Sequence, residues 1–156
     1  DVDRKITTKM KVIDTNILLY ATDLASPLHA DARDWWKKSL NEPEPIGLPW
    51  VVTLGCIRML TSPKISQTPM KLPAAIDLVE HWLDSPNVTP MTPQPGHLNR
   101  VRSLIHHSRM NKLGRSDLLV NDAHIAALAL ETGGTVYSCD KGFARFKEIR
   151  HINPLI

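Results

Sequence analysis

The sequence predicts an α/β fold on a central parallel sheet, and three features of the chain predict it. Short β-like runs alternate with helix-length amphipathic segments from Met10 onward, the order expected when parallel strands are joined by helical crossovers. Two of these runs lead to a carboxylate at or just past their carboxyl ends, Asp14 and Asp140. The length of 156 residues, with 42% hydrophobic and 22% charged residues, fits one domain around one core and excludes a disordered chain or a coiled coil.

The elements follow in order. Residues 11–14 form a first short strand, and 15–22 a helix that Asp14 or Thr15 can cap. Ser26 and Pro27 supply an N-cap and a first-turn proline for a helix with Leu28, Ala32, Trp35, Trp36 and Leu40 on one face. Residues 46–49 make a second strand. Residues 50–60 make a helix that is apolar apart from Arg58 and is therefore expected to be largely buried. After a loop carrying Pro63 and Pro69, Pro73 opens a helix with Ile76, Val79, Trp82 and Leu83 at core spacing. A third strand over 87–91, a helix over 96–107, a basic loop over 108–116 and a helix over 118–131 come next. Gly133 and Gly134 stand where a C-cap is expected. Residues 135–138 are a convincing strand, and 151–155 a final edge strand.

Residues 1–9 lack the apolar stretch of a secretory signal and read as a leader before a start at Met10, with 10–156 as a single domain. No apolar run reaches the roughly 18 residues of a membrane span. Two cysteines, Cys56 and Cys139, are too few for a disulfide framework, so a reducing cytoplasm is the expected location.

Chemistry concentrates in acids and bases. Asp14 and Asp140 fall at the sheet edge where open α/β folds bind ligands, and Asp122 lies near the start of a helix rich in small and apolar residues. Each alone could be a cap or turn residue. Together they would repel one another unless a cation intervened, which points to Mg²⁺ or Mn²⁺ bound through oxygen and able to activate water. The formal charge of +3 permits contact with nucleic acid. A strip with no acid carries Arg100, Arg102, Arg109, Lys112 and Arg115, and a second basic group comprises Lys141, Arg145, Lys147 and Arg150. Solvated faces explain many such runs, but their place beside the acids favours contact with the phosphate backbone of a substrate. His106, His107 and His124 lack zinc-site spacing and read as surface residues. Trp35, Trp36, Trp50 and Trp82 read as core or interface residues.

Three blocks carry a resemblance: Val12-Ile-Asp14-Thr-Asn-Ile-Leu-Leu-Tyr-Ala21, Asn121-Asp122-Ala-His-Ile-Ala-Ala-Leu-Ala129, and Ser138-Cys-Asp140-Lys-Gly-Phe143-Ala-Arg-Phe146. In order and without large gaps, they are similar to the PIN-domain ribonucleases, and more narrowly to the VapC-like toxins of type II toxin–antitoxin pairs. The resemblance implies a PIN-like three-layer fold and a cytoplasmic, Mg²⁺- or Mn²⁺-dependent endoribonuclease acting on RNA. It also implies a homodimer, inhibited by a VapB-like antitoxin through which alone operator DNA is contacted. By position, Asp14 would be the central metal ligand, Asp122 would bind directly or through water, and Asp140 would complete the pocket. Thr15, Asn16 and Ser138 would orient these acids, with capping an equal alternative. Asp117 is read first as a helix cap and second as an accessory site residue.

The chain departs from the family at Gly55, where a glutamate is expected; Arg58 matches the family's arginine. No acid lies between Trp50 and Leu60, and glycine costs roughly 1 kcal/mol in a helix interior relative to alanine. The expectation is that Gly55 replaces a native glutamate and impairs catalysis. A catalytically inactive PIN module that binds antitoxin or RNA is the alternative. A phosphatase-like enzyme is a third, weakened because Asp14-Thr15-Asn16 lacks an Asp-x-Asp pattern.

Overall fold

The computed structural model describes residues 9–108 and 116–156, without the side chains of 116–118. Strands β1 (Lys11–Ile13), β2 (Ile46–Pro49), β3 (Val88–Met91), β4 (Thr135–Tyr137) and β5 (Arg150–Ile152) alternate with helices α1 (Thr15–Thr22), α2 (His29–Leu40), α3 (Trp50–Leu60), α4 (Leu72–Leu83), α5 (His97–His107) and α6 (Ser116–Thr132). The strands form one sheet in the order β3-β2-β1-β4-β5, every neighbouring pair parallel. The chain steps from β1 outward to β2 and β3, then crosses back to lay β4 on the other side of β1. At β1 and β4 the onward connections therefore diverge, and such a divide opens a crevice at the carboxyl edge.

Parallel strands covered on both faces need apolar residues on both. Val12, Ile13, Ile46, Leu48 and Val136 are fully buried, with Ile17, Leu18, Leu128, Phe143 and Phe146 packed around them. Trp36 meets Trp82 edge to face, centroids 5.7 Å apart, tying α2 to α4. The end of α6 is set by glycine: Gly133 has φ +64°, and Gly134 donates its N–H to the Ala129 carbonyl at 2.8 Å, closing the helix as β4 begins. A β-carbon at Gly134 would stand 2.7 Å from the Met10 carbonyl oxygen, so the close approach of backbones requires glycine there.

Several expectations are corrected. The helix expected from Pro27 starts at His29, because Ser26 accepts from Leu28 N–H through its side chain (3.2 Å) and from His29 N–H through its carbonyl (3.0 Å), forming a turn. Helix α3 buries Val52, Thr53, Cys56 and Leu60, but leaves Trp50 44% and Leu54 60% exposed; only one of its faces meets the core. The edge strand is Arg150–Ile152 rather than 151–155, with Arg150 opposite Thr135 and Ile152 opposite Tyr137.

His124 is half-buried rather than a surface residue. His97 contacts Glu131 Oε2 through Nδ1 (2.6 Å) and His124 Nδ1 through Nε2 (2.7 Å). Gln94 N–H (2.8 Å) and Arg100 (3.3 Å) also donate to the Glu131 carboxylate. Burial opposes charge on Glu131, but these donors hold its pKa below the ordinary carboxylate value. The cluster joins α5 to α6.

Candidate active site

Asp14 follows β1 and caps α1. Its N–H donates to the Tyr137 carbonyl (3.0 Å), carrying the β1–β4 ladder one step further. Its Oδ1 accepts from Thr15 N–H (2.8 Å) and its Oδ2 from the Ser138 hydroxyl (2.6 Å). That hydroxyl, fully buried, also accepts from Asn16 Nδ2 (3.2 Å) and Asp140 N–H (3.0 Å), so its donor and both lone pairs are used. Asn16 Oδ1 in turn accepts from Cys139 N–H (3.3 Å), and His151 Nε2 donates to the Ser138 carbonyl (2.9 Å). Ser138 and Asn16 thus brace the ends of β1 and β4 against each other, and Asp14 is held by that brace.

Asp140 accepts from Gly142 N–H through Oδ1 (2.8 Å), capping a short 3₁₀ helix over Lys141–Arg145. Asp122 lies inside α6, beyond its first turn, and has no capping role. The three acids line one cleft of about 630 Å³ together with Thr15, Asn16 and Asn121. Leu19, Val51, Leu54, Gly55, Arg58, Met59 and Ile125 complete its lining. Capping and lining the cleft are therefore compatible for Asp14 and Asp140.

The electrostatics follow from this crowding. Burial raises the Asp14 pKa, against the lowering effect of its two hydrogen bonds, and Asp140 raises it further. Asp122 is pushed up to about 7, first by burial and then by Asp140 and Asp14; Arg145 opposes the shift. Among the described residues, no three His, Cys, Asp or Glu side chains form a group able to hold an ion by itself. The acids share the cleft without closing around an ion. Their donor chemistry nevertheless fits a hard divalent cation: they are oxygen ligands whose mutual repulsion a positive charge would relieve.

Gly55 faces this cleft from α3. A β-carbon there would meet only Thr15 Oγ1, at 3.8 Å, an ordinary contact. Neither space nor backbone conformation requires glycine at this position. The other sequence-derived candidates lie elsewhere. Arg100 is tied to Glu131 and the Pro95 carbonyl, and Arg102 is exposed on α5. Arg109, Lys112 and Arg115, and the side chain of Asp117, fall outside the described residues. Sequence reasoning gave no site role to His151, whose charge acts on Asp14 from the edge strand, or to Asn121 beside Asp122. Asn121 was adjacent to a candidate acid and could have been found. His151 carries no local signal.

The PIN-domain model matches residues 11–149. The chain belongs to the PIN-domain family. Among PIN-domain relatives, Ribonuclease VapC33 of Mycobacterium tuberculosis is 34% identical over 146 residues, covering 94% of this chain and 99% of the relative. The fold is shared with VapBC-1 from nontypeable Haemophilus influenzae, with a TM-score of 0.66 at 15% identity, covering 94% of this chain and 99% of that one. It is also shared with Mycobacterium tuberculosis VapC20, described as a Sarcin-Ricin loop cleaving toxin, with a TM-score of 0.62 at 17% identity, covering 90% of this chain and 98% of that one. The parallel sheet flanked, among the described residues, by six helices is the PIN-like α/β architecture expected from the three sequence blocks. Among the described residues, no helix is long and apolar enough to cross a membrane.

Proposed function

We propose that this PIN domain is the toxin of a VapBC-type pair, built as an endoribonuclease that hydrolyses RNA phosphodiesters. The observation that carries the proposal is the joining of Asp14, Asp122 and Asp140 in one cleft at the sheet's topological divide. Relatives of nearly equal length that are named ribonucleases support it. Asp14, Asp122 and Asp140 would hold Mg²⁺ or Mn²⁺, which when bound supplies an acidified water and stabilises charge on the phosphoryl group. Ser138 and Thr15 N–H fix the Asp14 oxygens, and Asn16 fixes Ser138. Arg102, with Arg109, Lys112 and Arg115, would attract the RNA backbone; Arg100 can join them only from its place on Glu131. A VapB-like antitoxin is the proposed partner, with operator DNA reached only through it, and a second copy of the chain completes a homodimer. The structural likeness to VapBC-1 supports the antitoxin partner.

Gly55 favours a second reading, an inactive module that binds RNA or antitoxin. Both readings are tested by incubating cellular RNA with the chain and with Gly55→Glu, in Mg²⁺ or Mn²⁺ and in chelator. The toxin reading expects metal-dependent cleavage that Gly55→Glu increases and Asp14→Asn abolishes. Binding without cleavage by both proteins would establish the inactive module instead.

A further inference from the structure

A second hollow, of about 500 Å³, opens where the carboxyl end of α5 meets the segment leading to β5. It is lined by His107, Ser108, Arg145, Lys147 and Glu148. Glu148 faces His107, with Oε1 and Nδ1 3.7 Å apart. Arg145 and Lys147 have no ion pair among the described residues. Arg100 offers a contrast, because Glu131 and the Pro95 carbonyl hold it in a structural role.

Arg145 also approaches Asp140, one of the acids of the cleft. A β-carbon at Gly142 would stand 2.8 Å from a terminal Arg145 nitrogen and 3.0 Å from Asp140 Oδ1, so the guanidinium and that carboxylate flank the same glycine. Its charge is felt at Asp122, where it opposes the upward shift of the carboxyl pKa. Arg145 thus lines the basic hollow and approaches the acids without being neutralised by either. A planar guanidinium in this position suits a phosphate, which it can grip with two parallel hydrogen bonds.

We propose that Arg145, with Lys147 beside it, forms a phosphate subsite that seats the RNA backbone next to the carboxylate cleft. Arg145 is a positioning residue here: it holds a phosphate so that the neighbouring phosphodiester lies over the acids. The subsite rests on the RNA-directed function proposed above and extends it to a particular side chain. Gly142 belongs to the same design, since any larger residue would push the guanidinium aside.

The test is binding of a labelled single-stranded RNA oligonucleotide by the full chain in chelator, followed by anisotropy across a salt series. Arg145→Gln should weaken binding about tenfold and flatten the logarithmic salt slope by about 0.7, the value of one single-strand phosphate contact. Lys147→Gln should show a smaller loss. Arg145→Lys should keep the slope while binding less tightly than the parent, and Lys37→Gln on α2 should change nothing. Gly142→Ala alters no charge and should also weaken binding by displacing the guanidinium, which separates positioning from bulk electrostatics. Equal affinity and slope for Arg145→Gln and the parent would overturn the subsite while leaving the nuclease proposal standing. Equal losses in Arg145→Gln and Lys37→Gln would likewise reduce it to general charge. A parent chain that binds no RNA would overturn both the subsite and the function beneath it.

Discussion

Among the described residues, Asp122 has no hydrogen bond to compensate its burial beside two other acids, whereas Asp14 accepts two and Asp140 accepts one. Its pKa of about 7 means that the folded chain holds this proton more tightly than the unfolded chain does. Stability contributed at this site is therefore present at low pH and falls as pH rises from the ordinary carboxylate range to about 7. In chelator, Asp122→Asn should match the parent near pH 4 and melt roughly 2–4 °C higher at pH 8, the equivalent of about 1 kcal/mol. Thermal melts of both proteins across pH check this, and a difference between Asp122→Asn and the parent that stays the same from pH 4 to pH 8 would show that burial and the neighbouring acids do not raise the Asp122 pKa. Gly55 makes the opposite case, a site with room and no occupant. Adding a side chain in open space on a helix removes the conformational penalty of glycine but introduces one more acid. Gly55→Glu should accordingly fold normally, and in chelator should sacrifice the helix gain to repulsion at neutral pH.

At the scale of elements, the joint between α5 and α6 depends on one buried carboxylate. Glu131 accepts from Gln94 N–H, from Arg100 and from His97, whose other nitrogen meets His124. Glu131→Ala would leave the His97 contact at a part-buried site without a partner, while Gln94 N–H and Arg100 can turn to water, a cost of about 1–2 kcal/mol or roughly 2–8 °C in melting temperature. Glu131→Gln should lose less, and its deficit should be full at neutral pH. Because the native pKa of Glu131 is lowered, that deficit should shrink only as pH falls through and below the ordinary carboxylate range. A deficit constant down to pH 3 would remove the charge from the account. This cluster was not legible in the sequence, since its members lie 27 and 34 residues apart and no spacing rule links them. The strands and helices were legible to within a few residues, because apolar periodicity and turn chemistry are local. Burial of α3 was misjudged for a related reason: a pattern reveals an apolar helix without revealing that one side borders an open cleft. Asp14 and Asp140 were legible as strand-end residues and Asp122 as an acid near a helix start, but their common cleft depends on strand order, which local pattern does not contain.

For the whole molecule, the sheet order brings together residues more than 100 positions apart, and the resulting charge should couple metal binding to global stability. Asp14 is seated by Ser138 across the β1–β4 junction, so its carboxylate is defined only in the folded chain. A divalent ion that binds the folded cleft and not the unfolded chain must raise the melting temperature according to its affinity. Three acids that repel one another but form no ready group for an ion predict weak binding and a small shift with Mn²⁺. Gly55→Glu adds a carboxylate to the same cleft from α3 and should bind more tightly, each tenfold gain in affinity adding about 1.4 kcal/mol, or roughly 3–6 °C, at saturating ion. Asp14→Asn in the same background removes the acid that both strands hold in place and should cancel most of that gain. Melting with increasing Mn²⁺ reads all three proteins without requiring any of them to cleave RNA. If Mn²⁺ moves the parent and Gly55→Glu equally, position 55 is not facing the ion. If it moves neither, the acidic cleft is not a metal site, and the family's ribonuclease chemistry cannot be assigned to these three carboxylates in this chain.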